Sequence, residues 1–236
     1  MKIRTEVYYS EAGYGRIEVR GNNSASGLFL DGKPFVFSFT DCAGSIGQDL
    51  YHFTQLPDSE RLPNLSEVTA NLPADDADLS RIVLPLLQQF KPGAYTLTLA
   101  PLTDWGNWVE YWLPDYAQKL GYTDSGYYPL GGVSGEKTLI ATQPDETLSD
   151  ERIAHFWYAI EAGARPFAIT ASVDGGMCEF VLDGHHKMRA YVHARVNAWR
   201  LCISRADSLL AEDDWPTHVV GGPPSWHRVH ESFESD

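Results

Sequence analysis

The junction around Gly184 is the sequence feature that most constrains the fold, because a strand meets a helix there with no loop between them. Residues 178–182 are β-prone, and residues 186–196 are predicted to form a helix. Glycine ends the strand and starts the helix without a side chain of its own. A junction of this kind presents several free main-chain N–H groups at one point. It predicts a small α/β unit whose chemistry lies at the junction.

The elements on both sides of the junction complete this unit, which we place at residues 146–205. Thr147 or Ser149 can cap its first helix, and Gly163 stands where a C-terminal glycine cap belongs. Pro166 then opens a strand. Helices are predicted at residues 150–162 and 186–196, and strands at residues 167–172, 178–182 and 198–203. The predicted order is helix, strand, hairpin, strand, helix, strand.

Residues 1–135 are β-rich, with short β-prone segments separated by turns. Strands are predicted at residues 3–9, 15–20, 26–30, 35–39 and 95–99. Asp31-Gly32-Lys33-Pro34 predicts a turn between two of these strands, which would form a hairpin, and residues 57–78 predict a long surface loop. The sequence therefore predicts an α+β fold, in which a β-rich N-terminal part packs on the small α/β unit.

Two helices are predicted within the N-terminal part, near residues 79–90 and 108–120. The first has apolar residues at helical spacing and a kink at Pro85. The second is rich in tryptophan and tyrosine, which could line a pocket, although their helical spacing favours packing in a core. Residues 206–236 are predicted to form an acidic tail.

The composition limits the kinds of partner. Hydrophobic residues make up 43% of the chain and charged residues 21%, a balance typical of globular proteins. No apolar run approaches the ~20 residues of a membrane span, and the start lacks an apolar signal core, so we expect a cytoplasmic protein with no membrane contact. The net charge of −14 argues against nucleic-acid binding, and with it against nuclease activity.

A cationic region nevertheless follows the junction. Residues 184–206 contain no acidic residue and five basic ones, which are Lys187, Arg189, Arg195, Arg200 and Arg205. A local cationic region on an acidic chain favours a small anionic ligand over a long polyanion. The three cysteines include no CxxC pair. The acidic pairs Asp75-Asp76 and Asp213-Asp214 are typical of solvated loop residues, so we expect no bound structural metal.

The five residues of the junction, Asp183 to Lys187, carry the candidate site, which we call the 183–187 turn. Free N–H groups and the helix dipole favour an anion beside Gly184. His185, His186 and Lys187 offer charge-assisted hydrogen bonds, and Arg189 lies close behind. The alternative is structural: the histidines form a polar cap, and Asp183 serves only the turn.

Residues 148–204 resemble the ParB/sulfiredoxin-like superfamily. In that family a helix leads to a Gly-x-x-Pro turn and a strand, then a hairpin, and then a strand that ends in Asp-Gly-His-His-Arg or a variant of it. The corresponding points here are Gly163 and Pro166, the 183–187 turn, and Arg189-Ala190 in the helix that follows. The resemblance covers about a quarter of the chain.

The resemblance implies a phosphate or nucleotide site at this turn, since ParB proteins hold nucleotide phosphates there and related amino-acid kinases transfer a phosphoryl group. It implies ATP or another nucleotide, with magnesium, as ligand. Three departures from the family pattern weaken parts of this implied function. His185 replaces the sulfiredoxin cysteine, Lys187 replaces the usual Arg and lacks its bidentate fork, and no helix-turn-helix is recognisable after Arg205.

Two hypotheses of different classes remain. In the first, the 183–187 turn with Arg189 binds phosphate or nucleotide. If phosphoryl transfer occurs, Asp183 or Glu161 is the candidate base and His185 contacts the transferred group. In the second, the chain is a non-catalytic interaction or immunity-type protein that binds a protein partner and uses the α/β unit as a scaffold.

Overall fold

A seven-stranded mixed β-sheet forms the framework of the protein. The computed structural model describes residues 2–21, 25–41, 47–53, 63–102, 108–109, 122–129, 138–143, 147–176 and 178–205. The strands of this sheet are, in spatial order, β1 (Arg4–Ser10), β6 (Gly93–Pro101), β12 (Trp199–Arg205), β10 (Phe167–Val173), β11 (Cys178–Asp183), β9 (Thr138–Ile140) and β7 (Trp108–Val109). The pairs β10–β12, β11–β9 and β9–β7 are parallel, and the others are antiparallel.

A second, five-stranded antiparallel sheet consists of β2 (Ile17–Gly21), β3 (Ala25–Leu30), β4 (Lys33–Asp41), β5 (Gly47–Phe53) and β8 (Tyr122–Pro129). Leu30 pairs with Lys33, so only Asp31 and Gly32 lie between β3 and β4. Both have positive φ, 50° and 76°, as a type I′ hairpin turn requires. The predicted hairpin is confirmed, but its turn has two residues and not four, because Lys33 and Pro34 belong to β4.

Strand β10 is buried along its whole length because both faces of the sheet are covered there. On one face Phe167, Ile169 and Ala171 join a core that also contains residues of β2, β3 and β6. On the other face Ala168 joins a second core with two helices, α3 (Asp150–Glu161) and α4 (His185–Ala194). Continuous burial explains why this strand lacks an alternating hydrophobic pattern.

The elements of the C-terminal unit follow the predicted order. Ser149, one of the two predicted caps, accepts the Arg152 N–H at 3.4 Å at the start of α3. Gly163 follows that helix with a φ of 99°, which suits a glycine after a helix end. The predicted helices and strands between residues 150 and 205 are confirmed, with boundaries that differ by two residues or fewer.

The predicted helix at residues 79–90 is instead two single turns, α1 (Leu79–Ile82) and α2 (Leu84–Leu87). The break falls at Val83, two residues before the predicted kink at Pro85. Proline has no N–H to continue the helical ladder, and it disfavours helical geometry in the residue before it. The chain therefore restarts the helix with Pro85 in its first turn.

The two parts that the sequence suggested share one sheet. Strand β6 from the N-terminal part pairs with β12 from the C-terminal unit, and β1 pairs with β6. The fold is α+β, as predicted. At residues 108–109 the chain forms strand β7 and not the start of a helix; the rest of that predicted helix, and the predicted acidic tail at residues 206–236, lie outside the described residues. In the described ranges, no helix has the length and apolar character to cross a membrane.

Candidate functional site

Gly184 occupies the junction between β11 and α4 and has a left-handed conformation, with φ 105° and ψ 16°. A Cβ atom at this position would lie 2.8 Å from Ala168 Cα and 2.9 Å from Ala168 Cβ. Both the backbone angle and the contact therefore require glycine. The missing side chain of Gly184 allows the main chain to lie close to the neighbouring strand β10.

His185 and His186 are both buried, with 6% and 8% of their surface exposed. The Thr142 N–H donates to Nε2 of His185 at 2.9 Å, and the Ser149 N–H donates to Nε2 of His186 at 3.0 Å. An Nε2 atom that accepts a hydrogen bond carries no proton, so both rings are neutral with the proton on Nδ1. The two side chains predicted to donate to an anion are thus acceptors at Nε2.

The surroundings of His186 favour its neutral form. Burial lowers the pKa of His186 below its usual value, and the positive charges of Arg152 and Lys187 act in the same direction, while Asp183 opposes them. A neutral ring keeps its bond to Ser149, the residue that caps α3. His186 therefore connects the first turn of α4 to the start of α3.

Lys187 is 2% exposed and lies between two parts of the chain. Its Nζ atom is 2.7 Å from Asp183 Oδ2, and it also donates to Thr69 Oγ1. The same nitrogen lies 5.8 Å from the centre of the Phe156 ring. Burial lowers the pKa of Lys187, although the carboxylate of Asp183 partly offsets this. The ammonium group that we expected to face a ligand is held inside the protein.

A segment of the N-terminal part lies against the turn. Thr69 is fully buried; its hydroxyl donates to the Leu65 carbonyl at 2.7 Å and lies 3.4 Å from Asp183 Oδ2. Its carbonyl accepts the N–H of Phe167, the first residue of β10, at 3.0 Å. Thr69 therefore joins the turn to the central strand.

Two other predicted site residues, Arg189 and Glu161, lie on the helices α4 and α3. Arg189 is half-buried on α4 and interacts with other groups of the protein. Glu161 is exposed at the last residue of α3, whereas His186 contacts Ser149 at the other end of that helix. Among the described residues, Glu161 makes no hydrogen bond or ion pair with Asp183.

The 183–187 turn thus connects three distant segments, through Thr69, Thr142 and Ser149. None of these three was predicted as a partner of the turn, and only Ser149 carried a sequence signal, as a helix cap. Among the side chains of the described ranges, no group of three or more His, Cys, Asp or Glu residues converges as a metal site would require. No family model, curated protein or solved structure matches this chain.

Proposed function

We propose that this chain is a non-catalytic interaction protein, in which the α/β unit is a scaffold and the 183–187 turn joins its parts. One observation carries the proposal. The ammonium group of Lys187 is bound to Asp183 and Thr69, and Nε2 of each histidine accepts a main-chain N–H. Binding an anion through the Lys187 ammonium group or through either Nε2 atom would require these internal bonds to be exchanged for ligand bonds, and buried groups that lose partners are costly.

The charge of the chain indicates the kind of partner. The net charge of −14 favours association with a basic protein surface and disfavours nucleic acid. Because such attraction is screened by salt, the association rate of the complex should fall as the ionic strength rises. The proposal retains the cytoplasmic setting that the sequence predicts.

Calorimetric titration with ATP, CTP and ADP, each with and without magnesium, tests the proposal from one side, and we expect no binding heat. Binding of any of them with a stoichiometry near one, unchanged in Lys33→Met, would contradict it. Loss of that heat in Lys187→Met would then indicate that the side chains of the turn hold the ligand. Lys33 is an exposed lysine of β4 and serves as the matched control.

Affinity capture from the native host tests the proposal from the other side. We expect a stoichiometric protein partner whose binding survives His185→Ala and Lys187→Ala, because these residues are internal. Unfolding midpoints of the variants must be measured in parallel, so that a loss of folding is not mistaken for a loss of binding. Loss of the partner from a variant that remains folded would contradict the proposal.

A nucleotide-binding function, with phosphoryl transfer, is the second candidate, and one observation favours it. Gly184 precedes α4 in a left-handed conformation, and that helix has no side-chain cap for its first N–H groups. In this alternative the main chain, and not the side chains of the turn, would hold a phosphate, and Asp183, whose side chain is 31% exposed, would be the base. The same titration decides between the two, because Lys187→Met should leave main-chain binding largely intact.

A further inference from the structure

Strand β1 lies at the edge of the seven-stranded sheet, where its only partner among the described strands is β6. Its side chains alternate between the two faces, and Val7 and Tyr9 share the exposed one, where they are 56% and 73% exposed. Ile3, the residue immediately before the strand, is 67% exposed. A regular edge strand with an exposed apolar face is a template for pairing with another strand.

The other face of β1 carries two charged side chains that contact residues 74–80, and Glu6 also hydrogen-bonds the side chain of Asp78 there. Arg4 donates to the carbonyls of Ala74 and Ala77, and Glu6 accepts the N–H groups of Leu79 and Ser80 at 2.8 and 3.2 Å. Within the described part of the chain, Arg4 pairs with no carboxylate and Glu6 pairs with no cation. Each therefore retains capacity for an oppositely charged partner.

The order of residues along this strand is self-complementary. In the run Ile3-Arg4-Thr5-Glu6-Val7, the positions equally distant from Thr5 are an arginine with a glutamate and an isoleucine with a valine. When two such strands run antiparallel with Thr5 opposite Thr5, Arg4 of each lies opposite Glu6 of the other. On the exposed face, Ile3 of each lies opposite Val7 of the other.

We propose that two copies of this chain associate through β1, in the antiparallel register that places Thr5 opposite itself. The contact has two-fold symmetry, so every favourable pair occurs twice. It adds main-chain hydrogen bonds at the edge, places Ile3 of each copy beside Val7 of the other, and gives Arg4 and Glu6 oppositely charged neighbours. This interface is separate from the 183–187 turn and does not depend on the proposed function.

Disulfide trapping tests the register directly. In a Cys42→Ser background, where the two remaining cysteines are buried, Thr5→Cys should form a covalent dimer under mild oxidation. Residues opposite each other in antiparallel strands have Cα atoms about 4.5 to 5.5 Å apart, within the range that a disulfide spans. Val7→Cys is the matched control, because in this register each Val7 lies opposite Ile3 and not opposite Val7. Efficient trapping of Val7→Cys and not of Thr5→Cys would overturn the proposed register.

Sedimentation equilibrium over a range of concentrations tests the interface itself. The unmodified chain should dimerise, and Val7→Lys should raise the Kd at least about tenfold, because the substitution acts twice at a two-fold contact. Val68→Lys, at another exposed valine, should leave the Kd unchanged. A chain that stays monomeric at every concentration, or a dimer that Val7→Lys and Ile3→Lys both leave intact, would refute the proposal.

Discussion

The ion pair between Lys187 and Asp183 should be energetically asymmetric, because its two members differ in burial. The side chain of Lys187 is 3% exposed and that of Asp183 is 31% exposed. Asp183→Asn keeps the shape of the side chain but removes the carboxylate, which leaves a buried ammonium group without a counter-charge. Lys187→Met keeps most of the apolar stem and leaves a carboxylate that water can reach.

The magnitudes follow from this difference. Removing one partner of a buried ion pair costs about 3–5 kcal/mol when the other stays buried and charged, so we expect Asp183→Asn to lower the free energy of unfolding by about 3 kcal/mol. Lys187→Met should cost about 1–2 kcal/mol, the value of the lost charge-assisted hydrogen bonds. The double variant should resemble Lys187→Met, because it contains no buried unpaired charge.

Urea unfolding at neutral pH, followed by tryptophan fluorescence, measures all three variants. Asp174→Asn, in the exposed turn between β10 and β11, is the matched control and should change the free energy of unfolding by less than about 0.5 kcal/mol. The double-mutant cycle should give a coupling of about 3 kcal/mol between the two positions, the cost of Asp183→Asn alone. If Lys187→Met proves as destabilising as Asp183→Asn, or if the two effects are additive, burial does not decide the energetics of this pair.

Three further outcomes are expected. Gly184→Ala should destabilise the protein by about 2–4 kcal/mol and Gly163→Ala by only about 1 kcal/mol. The two glycines have similar φ values, 105° and 99°, but only a Cβ at position 184 would meet another strand. Equal urea midpoints for the two variants would contradict this explanation. Tyr191→Phe should cost about 1–2 kcal/mol, because the buried tyrosine hydroxyl donates to the Pro166 carbonyl at 2.7 Å and burial raises its pKa; an unchanged thermal midpoint would show that the carbonyl finds another donor. The lowered pKa of His186 means that the unfolded chain binds a proton at this residue more readily than the folded chain. The contribution of His186 to stability should therefore be fully present above pH 6.5 and be lost as the pH falls below it. His186→Gln should flatten this pH dependence in urea titrations at neutral and mildly acidic pH, and an unchanged slope would exclude His186 as its source.

Local signals in the sequence predicted the parts of the fold that depend on neighbouring residues. Asp31-Gly32 specifies its turn because both residues tolerate positive φ, and Ser149 caps its helix through a residue three positions away. The pairing of β6 with β12 depends on residues that are about 100 positions apart. The hydrophobic pattern of a strand shows which of its side chains are buried, but it does not show which strand lies beside it. The sequence pattern therefore did not indicate that the two predicted parts share a sheet.

The candidate site shows the same division between local and distant information. The strand, the glycine and the helix start were predictable because each is a property of adjacent residues. The state of Lys187 was not, because it depends on Thr69, which is 118 positions away, and the states of the two histidines depend on Thr142 and Ser149, 43 and 37 positions away. A turn of this composition can hold an anion when its side chains have no internal partners, since its donors then face solvent. Here the Thr69 hydroxyl contacts Lys187, and two main-chain N–H groups contact the two histidines. The same side chains stabilise the contact between the helices, the central strand and the N-terminal part. What such a turn does is therefore decided by the segments packed against it, and only substitutions that separate side-chain from main-chain contacts, such as Lys187→Met, can distinguish a binding turn from a structural one.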